Sequence, residues 1–283
     1  MPEGDTVWLA GQRMHAALAG RVLTRTDFRV PALATVDLSG REVTGVVSRG
    51  KHLLTRIDGG TTMHTHFKMD GTWHLYRAGE RWRGGPDWQV RVVLETAGQV
   101  AVGYRLPVLE LLPTDREPDV VGHLGPDILG PDWDAAEVLR RLGEQPDREI
   151  GDALLDQRNL AGVGNLYKAE ACFLAGLSPW TPVRDVPDLP RLVDLCFRLL
   201  QRNKSTWAQV TTGDPRRGRT HWVFERSGQP CLRCGTRVLL ATQGRPPFDR
   251  LSYWCPHCQP GPAPTPIRRA DVPKVQGRTR YTP

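Results

Sequence analysis

The sequence predicts an α+β protein with more than one domain: an antiparallel β-sandwich with flanking helices, a helical domain, and a β-hairpin closed by cysteines. The first observation is periodicity, which is that of short strands up to Tyr104 and helical after Trp133. The second is a cluster of four cysteines near the C-terminus. The third is size, because 283 residues with 39% hydrophobic content can form two modest cores.

The first domain is predicted to span residues 1–130. A helix is expected at 5–19, where the apolar residues fall on one face. After Gly20, runs rich in valine and threonine are broken by glycine, which is typical of the short strands of a β-sandwich or flattened barrel. We expect this domain to end in the proline-rich stretch between Pro107 and Pro131. The predicted strands are 21–29, 41–48, 52–57, 61–67, 72–76, 89–95 and 99–104.

The rest of the chain is predicted to form three further parts. Residues 131–225 have helical periodicity and form a helical domain, residues 226–259 contain the cysteines, and residues 260–283 are Pro/Arg-rich without an apolar period. Such a composition is typical of a disordered tail. The predicted helices are 134–143, 148–160, 165–176 and 188–204.

The formal net charge is +7, and arginine supplies most of the cations. This excess suits a phosphate backbone, although a generic basic protein has the same composition. No apolar run reaches the ~18 residues of a membrane helix. The N-terminus lacks the basic start and apolar core of a signal peptide. We therefore expect a cytoplasmic protein that does not enter a membrane.

The cysteines form the pattern C-x2-C-x20-C-x2-C, with Cys231 and Cys234 in the first pair and Cys255 and Cys258 in the second. Without a secretory signal, this spacing predicts a metal site rather than disulfides. Two such pairs complete a tetrahedral Zn²⁺ site, and four protein ligands make it structural. The segment between the pairs predicts two strands, that is, a basic hairpin able to reach a DNA groove.

The N-terminus can carry a nucleophile. A methionine before Pro2 is usually removed, which leaves a free secondary amine with the carboxylate of Glu3 beside it. An α-amino group titrates near ~8 and lysine near ~10.4, so a terminal amine is more readily neutral at physiological pH. Its attack on a sugar C1′ gives an iminium, which promotes elimination. Met-Pro-Glu is also an ordinary start for a protein.

Two glycine-containing segments are candidate phosphate contacts. Gly50 permits a tight turn that projects Lys51 between two strands, although most lysines in such turns are merely solvated. In the stretch 160–165, exposed amides at a helix start and the side chain of Asn165 fit a backbone phosphate. A glycine cap that joins two helices is the competing interpretation. The stretch follows a helix rather than a strand, so it does not predict a nucleotide cofactor.

His64 and His66 lie two residues apart on a predicted strand and face the same way. They could bind a metal with a third partner, but the sequence indicates none, so structural histidines are favoured. The following loop contains Lys68 and Met69. It could push an apolar side chain into a base stack.

In their order along the chain, these motifs resemble the formamidopyrimidine-DNA glycosylase/endonuclease VIII family over residues 1 to about 259. The opening Pro2-Glu3-Gly4 looks more like the endonuclease VIII branch. The stretch 160–165 is similar to the helix–two-turn–helix motif of both branches. The four-cysteine hairpin is similar to the family's zinc finger.

The resemblance implies a bifunctional DNA glycosylase and abasic-site lyase of base excision repair. Pro2 would be the Schiff-base nucleophile, and Glu3 the acid that protonates the opening sugar. Lys51 would contact phosphate and assist β-elimination, and Asn165 would bind the backbone at the lesion. Arg250 in the finger would support δ-elimination.

Three departures from the family bear on its DNA contacts. The finger is longer than usual, so Arg245 is an alternative to Arg250 at its tip. The loop at Lys68 and Met69 matches neither branch well. His123 stands where relatives tend to have an arginine that contacts DNA.

The resulting hypothesis is a monomeric enzyme that acts on damaged DNA, carries one structural Zn²⁺ and removes oxidised pyrimidines. Two alternatives remain. One is an oxidised-purine glycosylase of the same fold, and the other is a non-catalytic zinc-finger DNA-binding protein.

Overall fold

A computed structural model describes residues 2–246, 249–268 and 270. The chain divides into two compact units, Met1–Leu124 (unit 1) and Gly125–Pro283 (unit 2). The predicted four-part division of the chain stays a prediction. Among the described residues, no helix combines the length and the apolarity needed to cross a lipid bilayer.

Unit 1 contains two antiparallel sheets, which confirms the predicted β-sandwich with flanking helices. The first sheet has the order β1-β3-β4-β5-β9 and the second has the order β2-β7-β8-β6. The elements are α1 (Gly4–Leu18), β1 (Arg21–Val22), β2 (Arg25–Phe28), β3 (Glu42–Arg49), β4 (His52–Ile57), β5 (Thr61–His66), β6 (Thr72–Arg77), β7 (Val90–Glu95), β8 (Gln99–Tyr104), β9 (Val108–Pro113) and α2 (Glu117–Val121).

Helix α1 covers the first sheet with its apolar face. Val7, Met14 and Leu18 are almost fully buried. A Cβ added to Gly11 would lie 3.0 Å from Leu53 Cδ1, so the glycine lets the helix lie close to β4. This packing fixes the start of α1, where the N-terminal residues stand.

One strand prediction for unit 1 is wrong in detail. The strand predicted at 21–29 is two strands in different sheets. Leu23 donates its backbone N–H to Arg41, whereas Thr24 donates to Glu95 in the other sheet. Unit 1 ends within the proline-rich stretch between Pro107 and Pro131, and the first part of that stretch contains β9, a strand that the sequence did not indicate. Because β9 is an edge strand with its prolines at the ends, it tolerates their missing N–H groups.

Unit 2 consists of helices followed by a two-stranded hairpin. The elements are α3 (Ala135–Gly143), α4 (Ile150–Leu155), α5 (Asn165–Leu174), α6 (Leu189–Asn203), β10 (Leu239–Gln243) and β11 (Arg250–Trp254). The helix predicted at 148–160 ends earlier. The backbone of Asp156 turns extended, and its carboxylate accepts the N–H of Arg158, which closes a turn instead.

A buried carboxylate orders the chain between α6 and the cysteines. Glu170 of α5 is fully buried, and its oxygens accept the backbone N–H groups of Trp222, Val223 and Phe224 at 2.7–2.9 Å. A buried charge needs such partners. The segment leading to the first cysteine pair is therefore tied to α5.

Part of the predicted tail packs on the hairpin. Ile267 donates its N–H to Leu240 of β10, and the Ser178 hydroxyl donates to the carbonyl of Pro262. Residues 271–283 of the predicted tail lie outside the described residues.

Candidate functional site

The N-terminal residues lie at the start of α1. Glu3 is 1% exposed and takes the N-cap position with extended backbone, and its carbonyl accepts the N–H of Val7 at 3.1 Å. In the described chain, its carboxylate does not cap the helix. Pro2 is partly exposed. A helix N-terminus favours a nearby anion, which suits a buried carboxylate at this position.

The predicted turn at Lys51 forms between β3 and β4. Gly50 has φ +56°, which favours glycine, and Arg49 pairs with His52 on either side of the turn. Lys51 is partly exposed in a rigid hairpin. Its backbone position is therefore set by the sheet.

Four histidines come together beside this turn: His52, His64, His66 and His123, named here the histidine cluster. His52 Nδ1 lies 2.8 Å from His64 Nε2. The ring of His52 lies edge-on to His66 at 4.8 Å and to His123 at 6.2 Å. His52 and His123 are thus neighbours that the sequence did not indicate, and the interpretation of His64 and His66 as structural histidines rather than metal ligands stays a prediction.

Strand register explains why the cluster forms and why the sequence hides it. His52 pairs with His66 across β4 and β5, and His64 pairs with Glu110 across β5 and β9. These side chains share one face because residues two apart on a strand point the same way. Glu110 Oε1 lies 2.7 Å from His64 Nδ1. The sequence does not indicate β9, and so it does not indicate Glu110 either.

The rings of His52 and His66 are neutral near physiological pH. Burial, together with smaller effects of the neighbouring histidines and Lys68, lowers the pKa of His52 to about 3. Burial also lowers the pKa of His66 to about 3, together with the positive charges of Lys68 and Lys51. A neutral His66 can accept a hydrogen bond, and its Nδ1 accepts the N–H of Lys68 at 2.9 Å.

The loop at Lys68 and Met69 is held firmly. Arg105 Nε donates to the carbonyl of Asp70 at 3.1 Å, and Lys68 takes φ +47°. A Cβ on Gly71 would lie 2.7 Å from backbone atoms of Phe67, so only glycine fits there. Met69 is 57% exposed at the tip. A rigid loop that presents an apolar side chain to solvent agrees with the predicted contact with a base stack.

In unit 2, Asn165 begins α5 and bonds to the hairpin. Its Nδ2 donates to the carbonyl of Leu251 at 2.8 Å, while its buried Oδ1 has no hydrogen-bond partner among the described residues. The side chain thus connects the helix start with β11.

A buried lysine that no sequence motif indicated strengthens the same connection. Lys168 is fully buried one turn after Asn165, and its ammonium donates to Gln243 at 3.2 Å and to the hydroxyl of Ser252. Gln243 in turn donates to Glu149 at 3.0 Å. In the sequence, Lys168 could have been recognised only by its place at a core position of the predicted helix, three residues after Asn165.

The four cysteines bring their sulfur atoms within 4.8 Å of one another. Cys234 Sγ and Cys255 Sγ lie 3.5 Å apart. Four thiolates at about 2.3 Å from a tetrahedral metal would be separated by similar distances, so the cluster fits a metal ion. Arg233, inside the first pair, stacks on the ring of Phe173 at 4.4 Å and thereby attaches this turn to α5.

Both candidate arginines of the hairpin are exposed. Arg250 is the first residue of β11 and pairs with Gln243, whereas Arg245 lies in the turn that joins the strands. Of the predicted site residues, unit 1 therefore contains Pro2, Glu3, Lys51, Lys68, Met69 and His123. Unit 2 contains Asn165, Arg250 and the four cysteines.

Comparisons with known proteins agree with these features. Residues 1–105 match the formamidopyrimidine-DNA glycosylase N-terminal domain, and residues 124–201 match the helix–two-turn–helix domain of the same enzymes. A Streptomyces coelicolor protein named probable endonuclease 8 2 is 57% identical, over 96% of this chain and 99% of its own. A Mycolicibacterium smegmatis protein named DNA-(apurinic or apyrimidinic site) lyase is 46% identical, over 92% of this chain and 99% of its own.

Solved structures show the same fold. The formamidopyrimidine-DNA glycosylase of Lactococcus lactis, bound non-covalently to DNA with an abasic site, superimposes with a TM-score of 0.74. The match covers 92% of this chain and 100% of that one, at 20% identity.

Proposed function

The chain belongs to the endonuclease VIII branch of the formamidopyrimidine-DNA glycosylase/endonuclease VIII family, and we propose that it excises oxidised bases from DNA and cleaves the strand at the abasic site. One observation carries the proposal. The residue after Pro2 is a carboxylate, Glu3, that is 1% exposed at the start of α1. Such a carboxylate has no role in DNA binding alone, and its position suits proton transfer to a sugar held by the terminal amine.

The proposed chemistry begins at the Pro2 amine, which attacks C1′ of a damaged nucleoside flipped out of the duplex; the glycosidic bond breaks and the base leaves. Glu3 protonates the ring oxygen as the bond between that oxygen and C1′ breaks. The resulting iminium acidifies C2′, so the 3′ phosphate leaves by β-elimination. Lys51, at the rigid turn, contacts phosphate and assists this step. Arg250 supports the second elimination, which releases the 5′ phosphate.

The contacts of unit 2 support a binding role. Asn165 at the start of α5 is proposed to contact the DNA backbone, as are Lys68 and His123 of unit 1, while Met69 enters the base stack. The four cysteines would hold one Zn²⁺, which would fix the two cysteine pairs and take no part in the reaction. The enzyme is proposed to act as a monomer in the cytoplasm, without a nucleotide cofactor.

The resemblance to the endonuclease VIII branch, several of whose members are named endonuclease 8, is the ground for proposing an oxidised pyrimidine as the substrate. An oxidised-purine glycosylase is the alternative within the same fold. A non-catalytic DNA-binding protein is disfavoured, because binding requires neither a free terminal amine nor a buried Glu3.

Borohydride trapping on DNA with an abasic site tests the proposal. The mature protein should form a covalent adduct, whereas a variant with a residue retained before Pro2 should not, because its amine is an amide. Both should bind the DNA, since the basic surface is unchanged. Equal trapping by the two proteins would exclude Pro2 as the nucleophile, and no trapping by the mature protein would exclude the lyase.

A further inference from the structure

Arg105 is one of two residues other than glycine that have a left-handed backbone in the part of unit 1 that the structure describes. Its φ is +48°, and that of the other, Lys68, is +47°. This conformation is unfavourable for a residue with a side chain, so the surrounding structure must enforce it. Arg105 Nε donates to the carbonyl of Asp70, two residues after Lys68. The two strained positions therefore belong to one connected feature.

The packing at the end of β8 explains the backbone of Arg105. Tyr104 packs with Val102 in one apolar cluster, whereas Leu106 packs with Ala101 in another. Residues two apart on a regular strand face the same way, and neighbours face opposite ways. The left-handed turn at Arg105 therefore moves Leu106 to the other face of the sheet, where it is 3% exposed. Burial of the residues on both sides fixes the position of Arg105.

Two hydrogen bonds to Gln89 orient Arg105. Its backbone N–H donates to the Gln89 carbonyl at 2.8 Å, and its Nη1 donates to Oε1 of the same residue. Gln89 is 9% exposed. A Cβ on Gly85 would lie 2.7 Å from Gln89 Oε1 and 3.1 Å from Arg105 Nη1, so glycine leaves room for this pair. The guanidinium is thus held in place while its Nε donates to Asp70.

The bond from Arg105 completes the hold on one peptide group in the loop of residues 67–71, named here the Met69 loop. The carbonyl of that peptide, which belongs to Asp70, accepts from Arg105 Nε at 3.1 Å. Its N–H, which belongs to Gly71, donates to the carbonyl of Phe67 at 2.8 Å. The second bond lies within the loop, whereas Arg105 directly follows β8. Arg105 therefore ties the Met69 loop to the second sheet of unit 1.

The held peptide lies one residue after Met69, whose side chain is 57% exposed. On the other side of Met69, the backbone N–H of Lys68 donates to His66 Nδ1 at 2.9 Å. The exposed apolar side chain thus projects from a short segment whose backbone is fixed before and after it. A side chain that enters a base stack must push bases apart. A loop that is already ordered does so without a further loss of conformational entropy.

We propose that Arg105 is a positioning residue that keeps the Met69 loop in the shape needed to open duplex DNA at a damaged site. The inference rests on the proposed function, in which Met69 enters the base stack. Arg105 acts through the Asp70 carbonyl and has no part in the steps that break bonds in the sugar.

Amide hydrogen exchange tests the hold on the loop without DNA. Arg105→Met keeps a long side chain and removes its donors, so the Gly71 amide should exchange about tenfold faster than in the wild type, as the loss of one hydrogen bond predicts. Arg91→Met is the matched control, because Arg91 Nη1 also donates to a backbone carbonyl of unit 1, that of Trp88 at 2.9 Å. Its Gly71 amide should exchange as in the wild type. Equal rates in the two variants would show that Arg105 does not hold the loop.

A double-mutant cycle tests whether Arg105 acts through Met69. The fluorescence of 2-aminopurine opposite an abasic site in duplex DNA should rise when the wild type binds, because the base unstacks. The rate of this rise should fall about tenfold in Arg105→Met and in Met69→Ala, and the double variant should be no slower than Met69→Ala. Arg91→Met removes the same charge and should open the duplex at the wild-type rate.

Three results would contradict the proposal: no fluorescence change with the wild type, losses that multiply in the double variant, or a decrease of about 0.9 in the salt slope of Arg105→Met. The last is the signature of a lost phosphate contact. Failure of the proposed function would appear differently, as absent borohydride trapping in the wild type.

Discussion

The histidine cluster of unit 1 and the cysteine cluster of unit 2 both gather four metal-binding side chains around a β-structure. The two clusters differ in how their side-chain atoms are arranged. The four sulfur atoms lie within 4.8 Å of one another. In the histidine cluster, two ring nitrogens, His52 Nδ1 and His64 Nε2, are instead hydrogen-bonded to each other at 2.8 Å. A third, His64 Nδ1, lies 2.7 Å from Glu110 Oε1.

The difference shows that ligand-type residues alone do not define a site. A metal needs donor atoms that point at one place with their lone pairs available. In the histidine cluster, His64 Nδ1 and His66 Nδ1 are engaged by a carboxylate and a backbone amide, and Lys51 and Lys68 add positive charge nearby. The cysteine cluster suits a cation, whereas the histidine cluster is held together by hydrogen bonds among its rings, Glu110 and the backbone.

The largest effect is expected from a substitution that disrupts the cysteine cluster. Cys234→Ser should not retain the proposed Zn²⁺, because three thiolates cannot close a structural tetrahedral site, and structural zinc contributes about 10–16 kcal/mol in small fingers. Metal content should fall from one Zn²⁺ per chain to none, with loss of amide protection in β10 and β11. Amides of unit 1 should stay protected. His64→Gln should leave the metal content unchanged; a loss of zinc in that variant would mean that the histidines bind the ion.

A second prediction separates proton transfer in unit 1 from binding in unit 2. Glu3→Gln should slow removal of a damaged base by about 10²–10⁴-fold, because it removes a positioned acid. Cleavage at a preformed abasic site should fall far less, since the base is already gone. Single-turnover rates on the two DNA substrates give the comparison, with the exposed Glu42→Gln as control. Equal losses on both substrates would indicate that Glu3 orients the Pro2 amine instead.

A third prediction concerns how the stability of the two clusters changes as the pH is lowered. The pKa values of His52 and His66 are about 3 in the folded protein and about 6.5 when unfolded. Between these values the unfolded chain binds more protons, so the free energy of unfolding of unit 1 should decrease as the pH falls from about 6.5 towards 3, by a few kcal/mol.

Hydrogen exchange of the β4 and β5 amides measures this loss in unit 1 alone. Added Zn²⁺ should not restore their protection, whereas it should oppose acid-induced opening of β10 and β11. His66→Asn should weaken the pH dependence in unit 1, because one of the two neutral rings is then absent. A pH-independent exchange rate in β4 and β5 would contradict the neutral, buried state of these rings.

The two clusters also show what the sequence can predict. The cysteine site was predictable because its ligands come in pairs two residues apart, and each pair forms one local turn. The strands from β3 to β8 and the four helices were predictable because their apolar periodicity is local. Glu3 and Lys51 were predicted as site residues in the same way, from short motifs, and their roles stay predictions.

The histidine cluster depends instead on the register of three strands, one of which lies in a proline-rich segment. Nothing near His64 in the sequence indicates that Glu110, 46 residues later, will be its partner. Lys168 was missed for a related reason. Its polar partners, Gln243 and Ser252, come from a hairpin more than 70 residues away.

The smallest expected effect concerns the two arginines of the hairpin, neither of which belongs to the metal cluster. Arg250→Ala should retain zinc and structure, because its side chain is exposed and bonds within the described chain to the carbonyl of Asp249. If its guanidinium neutralises one DNA phosphate, the slope of log affinity against log salt should decrease in magnitude by about 0.9. The product mixture should also shift towards β-elimination if Arg250 assists the second step.

Arg245→Ala is the matched variant, since Arg245 lies at the turn of the same hairpin. Its slope and products should match the wild type. If Arg245→Ala gives both effects and Arg250→Ala gives neither, the turn rather than the start of β11 contacts the phosphate.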